Sequence, residues 1–280
     1  MPLQRCLEDL KGNKHQRWFP KTKFTDYTGL KGKTPRYLSI DFLRTYQTTH
    51  PELYDANMYL LRLGSGHFSL VESENILAEY FIEDSIFPEK GERYVSSASQ
   101  QDIFSFSVMP KLTENTLLSL GLATGVIQAC LGMDSEDPIP SPSEANGTYQ
   151  FEVMNPHDTE PFLHDGQVEI DTVVFGKVKG AYTLFVIEGK EGKPSNSSTL
   201  AKHKLAYPVY ALASQGNIPD YINIVPAYVR AWVEGNRIHY CAATFKLKGN
   251  PRNDPLSIRD VVVSSHPTHM YLQDIFSTGG

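Results

Sequence analysis

Two apolar segments that carry charges at matched ends constrain this chain more than any other feature. Residues 167–175 (QVEIDTVVF) and 181–187 (AYTLFVI) are rich in β-branched and aromatic side chains and read as strands, with the intervening GKVKG at 176–180 as a hairpin connection. In an antiparallel pair, residues directly opposite one another share a face. A two-residue turn at Lys179-Gly180 then sets Asp171 opposite Glu188 and Glu169 opposite Lys190, with all four side chains on one side of the ribbon. A one-residue slip would divide these groups between the two faces. A bulge that shifts the pairing by two would keep the face and bring Glu169 to Glu188 instead.

Residues 184–187 (LFVI) read as buried, so Glu188 sets a carboxylate where desolvation is costly. Facing carboxylates repel one another and raise a pKa. A divalent cation resolves that conflict, and hard oxygen ligands suit Mg²⁺. Lys190, two residues on and on the same face, is placed to orient or deprotonate a water, or to hold negative charge developing on a phosphate. The plain alternative is a surface hairpin whose Glu169, Lys190 and neighbouring charges form salt bridges worth about 0–1 kcal/mol. The apolar run at 185–187 argues against a solvent-facing strand.

Around this pair the sequence resembles the PD-(D/E)xK nuclease superfamily, and more narrowly the type II restriction endonuclease-like proteins. The matching pieces are QVEID at 167–171, FVIEGK at 185–190, KLAYPVYAL at 204–212, and VPAYVRAW with RIHYCAATF within 225–245. The resemblance implies an α/β fold, a PD-(D/E)xK core with a mixed central sheet flanked by helices, preceded by an N-terminal α+β region. It assigns metal binding to Asp171, Glu188 and the backbone carbonyl of Gly189, and water positioning to Lys190. Glu114, on the preceding helix, and Glu169 are further candidate site acids. Ile170 stands where the family name has a proline, and Lys204 where relatives often carry a glutamine. Lys202, His203 and Lys204 form a basic cluster on the following helix, either contacting the DNA backbone or forming a solvated face. The activity implied is Mg²⁺-dependent hydrolysis of double-stranded DNA that leaves a 5′-phosphate, most naturally by a sequence-specific type II restriction endonuclease. A palindromic target would imply a homodimer. A structure-selective junction or repair nuclease, and a non-catalytic DNA-binding regulator, are the alternatives.

Along the chain three zones are expected: 1–110, an N-terminal region and possible DNA-recognition module; 111–250, the nuclease core; and 251–280, a C-terminal extension with no readable role. In the first, 57–63 (NMYLLRL) and 67–71 (HFSLV) form a hairpin around Gly64-Ser65-Gly66, while 40–46 and 74–81 read as short helices. The strongest helix is 113–131, with Thr113 as N-cap and Glu114 in its first turn. A Pro/Ser/acid-rich loop occupies 134–147. A strand is expected at 149–153, a helix over 198–214 interrupted or kinked at Pro208, and a hairpin of 222–232 with 237–245 turning at 234–236.

The chain's net charge of −6 would disfavour a nucleic-acid partner if it were spread evenly. It is not: residues 1–44 hold ten Lys/Arg against four Asp/Glu, and the remaining 16 against 28 leave −12 for the rest. A basic N-terminal arm suits a phosphate backbone. No stretch approaches the roughly 18–20 apolar residues of a membrane span, and residues 1–18 lack an apolar signal core. The three cysteines, Cys6, Cys130 and Cys241, have neither disulfide-framework nor zinc spacing. A reducing, cytoplasmic setting is expected. His157, His164, His203 and His239 have no partner at metal-ligand spacing, and no G-x-S-x-G nucleophile motif occurs.

Overall fold

A computed structural model of the protein describes residues 3–12, 16–32, 34–134, 147–195 and 197–276. After α1 (Gln4–Gly12), β1 (Trp18–Lys23) leads into α2 (Phe24–Thr28), α3 (Thr34–Leu38), α4 (Leu43–Thr49) and α5 (Pro51–Asp55). β2 (Met58–Arg62) and β3 (His67–Glu72) form the hairpin expected around Gly64-Ser65-Gly66, and β1 pairs with the other edge of β3. The β1 part of the basic stretch is therefore woven into a small sheet. Leu3, Cys6, Phe19 and Phe24 are buried, and the Lys21 ammonium donates to the Leu163 carbonyl at 2.7 Å. The helix expected at 74–81 is α6 (Ile76–Tyr80), where the Asn75 side chain accepts from the Ala78 amide at 3.1 Å as an N-cap. β4 (Phe81–Glu83), a 3₁₀ turn over Asp84–Ile86, β5 (Glu92–Arg93) and α7 (Phe104–Ser107) follow.

The helix expected over 113–131 is split into α8 (Glu114–Ala123) and α9 (Val126–Cys130). Gly125, at φ 79°, makes the break. At the break the Thr124 hydroxyl donates to Leu120 O and the Gln128 amide to Leu122 O, both at 2.8 Å, in addition to the backbone bonds those carbonyls accept from the Thr124 and Gly125 amides. Of the loop expected at 134–147, residues 135–146 lie outside the described residues.

β6 (Thr148–Val153) and β7 (Phe162–Gln167) pair with each other, so the strand expected at 167–175 is divided. Gln167 closes β7, Val168 and Ile170 bury their side chains between the two sheets, and β8 (Thr172–Val178) begins only after Asp171. β8 pairs antiparallel with β9 (Ala181–Glu191), from Thr172↔Ile187 to Val178↔Ala181, which is the register expected from the turn. Lys179 and Gly180 both have positive φ, 50° and 80°, as a type I′ turn requires. β10 (Thr199–Ala201) pairs with β4 and takes the first residues of the helix expected at 198–214; the rest is α10 (Lys202–Ala213), which runs through Pro208 without interruption. β11 (Asn223–Glu234) lies parallel to β9, and β12 (Arg237–Lys246) returns antiparallel through the expected turn. β13 (Val262–Val263) and β14 (Thr268–Gln273) both pair with β12, which brings the last part of the chain into the same sheet.

The result is a mixed α/β architecture around a seven-stranded sheet of order β5-β14-β12-β11-β9-β8, with β13 on β12. Alternating side chains feed two cores. On one face Val174, Phe185, Ile187, Ala227, Val229 and Tyr240 pack against Leu117, Leu118 and Leu120 of α8 and Val126 and Ile127 of α9. On the other, Val186, Tyr228, Trp232, Cys241 and Ala243 pack with Leu205, Val209 and Tyr210 of α10 and with the N-terminal sheet. Among the described residues no helix is long and apolar enough to cross a membrane.

Candidate active site

The alternation along β9 decides where its charges go. Glu188 and Lys190 share the parity of Val186 and face the side covered by α10, at the point where the apolar strand runs out. Glu188 is only 2% exposed. Asp171, the residue before β8, turns its carboxylate to the neighbouring strand, and its Oδ2 accepts from the Gly189 amide at 2.9 Å. Because N–H and C=O of one residue in a strand point to the same edge, the Gly189 carbonyl also faces the Asp171 side. The Lys190 ammonium lies 2.7 Å from Glu188 Oε1 and 3.5 Å from Glu114 Oε1. Glu114 reaches the site from the first turn of α8, and its Oε2 accepts from the Glu191 amide at 3.2 Å. Lys204, from the first turn of α10, approaches from the opposite side, 3.4 Å from Glu188 Oε1.

Two lysines thus form ion pairs with Oε1 of a buried carboxylate. Neither Glu188 oxygen accepts a hydrogen bond among the described residues, and Oε2 has no ion pair either. Burial, the largest influence, pushes the Glu188 pKa up to about 7; Lys204 pulls it down, Asp171 pushes it up and Lys190 pulls it down. For Lys190, burial works against the charged form, but Glu188, Asp171 and Glu114 outweigh it and hold the ammonium above its ordinary range. Lys204 is raised in the same way: burial opposes the charge, and Glu188, Asp41, Glu169 and Asp171 favour it. Both lysines are therefore cations at neutral pH. Gly189 is required by close packing: a Cβ there would stand 2.4 Å from Leu118 Cδ1 of α8.

The other residues singled out from the sequence divide. Glu169 lies ahead of β8, outside the strand ladder, and is 64% exposed; its carboxylate stands 3.5 Å from Lys204 rather than against Lys190. Lys202 and His203 are not available to a DNA backbone. Lys202 is buried, and its ammonium donates to the carbonyls of Ala78 and Arg259, both at 3.0 Å. His203 is buried with Nδ1 3.2 Å from the Tyr59 hydroxyl, and burial lowers its pKa to about 3, so the ring is neutral. Successive residues on a helix point in different directions. Here 202 and 203 face the N-terminal part of the molecule and only 204 faces the site.

Beside the acids lies a network that the sequence did not reveal. In the parallel register Tyr228 neighbours Glu188 and Arg230 neighbours Lys190. The Tyr228 hydroxyl donates to Asp84 Oδ1 at 3.0 Å, and Arg230 donates to Asp84 Oδ2 through Nε at 2.8 Å and again through a terminal nitrogen. Arg230 also donates to the Ser198 hydroxyl at 2.6 Å and to the Glu191 carbonyl at 3.1 Å. Asp84 and Arg230 are both buried, so the pair fastens the 3₁₀ turn after β4 to β11, the neighbour of the strand that carries the candidate site. The alternation of Tyr228, Arg230 and Trp232 along β11 was the only trace of it in the sequence. His239, set aside for lack of a sequence partner, meets His269 of β14 with ring nitrogens 3.0 Å apart.

Among the described residues no group of three or more His, Cys, Asp or Glu side chains is close enough to enclose a metal ion. What the site offers is the unpartnered Glu188 Oε2, the second oxygen of Asp171 and the Gly189 carbonyl edge. That donor set fits an ion that uses one or two carboxylates and keeps several waters, as Mg²⁺ does. No family model matches the chain, and neither does any curated protein.

Proposed function

We propose that the protein is a Mg²⁺-dependent DNA endonuclease with a PD-(D/E)xK-type core, acting as a sequence-specific type II restriction endonuclease. The observation that carries this reading is the Asp171 carboxylate accepting from the amide of Gly189, the residue after buried Glu188, with the Lys190 ammonium 2.7 Å from Glu188. Asp171, Glu188 and the Gly189 carbonyl would hold the ion, which when bound supplies charge stabilisation on the phosphodiester and a more acidic water. Lys190, held as a cation by its carboxylate neighbours, donates to a non-bridging phosphate oxygen as charge develops there and is not the base. Lys204 balances the buried charge of Glu188 from the α10 side, and Glu114 holds Lys190 in place from α8. Attack by water on phosphorus breaks the P–O3′ bond and leaves a 5′-phosphate and a 3′-hydroxyl. Cutting both strands of a palindrome would call for a second copy related by two-fold symmetry.

The test is incubation of the full chain with phage or plasmid DNA, with and without Mg²⁺, alongside Asp171→Ala and Glu188→Ala. Discrete fragments from the wild type only, with the variants folded and inactive, support the proposal. Cleavage confined to branched substrates would reassign the site to a junction or repair nuclease. Intact DNA that is nevertheless bound would make the protein a regulator, and wild-type rates in either variant would remove the site assignment.

A further inference from the structure

We infer that the cleft between the N-terminal sheet and the β6–β7 hairpin holds the phosphate backbone of the substrate duplex, with Arg62 and Lys23 as its contacting cations; this rests on the nuclease reading above. The cleft is a cavity of about 540 Å³ whose lining, among the described residues, includes Lys23, Thr25, Thr34, Arg62, Thr148 and Gln167 and no carboxylate. Two acids adjoin the lining in sequence: Asp26 is exposed and accepts the Thr25 hydroxyl at 3.1 Å, and Asp165, half-buried beside Gly166, has no ion pair with Arg62.

Arg62 is the informative residue. It is half-buried, yet among the described residues its side chain has no carboxylate partner and no hydrogen bond, whereas Arg17, Arg230, Arg252 and Arg259 each have a carboxylate. A partly desolvated cation without a partner is costly, and an anion entering the cleft would supply that partner. Arginine's planar fork suits a phosphate bidentately. Its backbone is fixed in place, because the Tyr207 hydroxyl donates to the Arg62 carbonyl at 2.7 Å.

The placement matches the candidate active site. Tyr207 is three residues beyond Lys204 on α10, a rise of about 4.5 Å. Gln167 at the other end of the cleft is four residues from Asp171, a span of at most about 14 Å. A DNA strand advances about 3.4 Å of helix axis per nucleotide, so the Gln167 end of the cleft lies within roughly four nucleotides of the phosphate being cut.

The experiment is a salt series of duplex binding by fluorescence anisotropy, in EDTA so that nothing is cut, on the full-length wild type and on Lys23→Gln, Arg62→Gln, Arg62→Lys and the double Gln variant. Each phosphate contact contributes about 0.9 to the slope of log K against log salt. The double variant should flatten that slope by about 1.8 and Lys23→Gln alone by about 0.9, with Arg62→Lys close to wild type. Lys23 is exposed, so its single variant keeps the test live if Arg62→Gln does not fold. Slopes equal to wild type in a protein that cuts DNA would overturn this inference and leave the nuclease reading standing. Flattened slopes in a protein that never cuts would support the cleft and remove the nuclease. A wild type that binds no duplex would overturn both.

Discussion

Gly189→Ala probes the join between the sheet and α8 without touching a charged group. The added methyl would meet Leu118 Cδ1 at 2.4 Å, Cγ at 3.0 Å and Cδ2 at 3.1 Å, where carbon atoms settle at roughly 3.5–4.0 Å. Leu118 is 4% exposed and hemmed in by Leu117, Phe185 and Ile187, so it has little room to turn away. Overpacking of this kind costs about 1–3 kcal/mol. Replacing a glycine in an unfolded chain returns about 0.4–1 kcal/mol, which leaves a net loss of about 1–2 kcal/mol. Leu118→Ala alone should cost about 2–5 kcal/mol, but with both changes made the methyl added at position 189 would occupy part of the vacated space. The double variant should therefore be more stable than additivity requires by about 1–2 kcal/mol. Urea unfolding in EDTA, followed by circular dichroism, reads all four proteins. Full additivity, or a Gly189→Ala protein as stable as wild type, would refute the packing argument.

Lys190→Gln removes one cationic donor from the site; single-turnover cleavage should slow by about 10²–10³, while stabilisation of the fold by Mg²⁺ in a thermal melt persists. Asp84→Ala leaves the Arg230 guanidinium buried without its carboxylate and should cost about 3–5 kcal/mol in urea unfolding; a double variant with Arg230→Met should recover much of that loss. His164 is buried and stacked on Phe151 with centroids 4.4 Å apart, and burial holds its pKa at about 4, below the ordinary 6.5. The neutral ring is favoured in the fold, so stability present above pH 6.5 is lost as pH falls toward 4. His164→Phe should lose about 3 kcal/mol less than wild type between pH 7 and 4, and parallel stability profiles for the two proteins would contradict this.

Residue order alone was enough for what depends on neighbours along the chain. The period-2 pattern and the Lys179-Gly180 turn specify the β8–β9 register from Thr172 to Val178, because a hairpin's pairing is set by its own turn. The Gly64-Ser65-Gly66 and Gly235-Asn236 hairpins were legible for the same reason. Contacts across long loops were not. Asp84 and Arg230 are 146 positions apart, and neither carries a local sign of the other. The strand at 199–201 exists because β4 offers it an edge, although its own residues suit a helix equally well. Lys202, His203 and Lys204 look alike as a basic cluster, yet the direction each takes depends on what packs around α10, so two are buried in the fold and one faces Glu188. The basic N-terminal stretch reads as an arm by composition, but Leu3, Phe19 and Phe24 bury their side chains against segments far along the chain, and only the assembled core can show that.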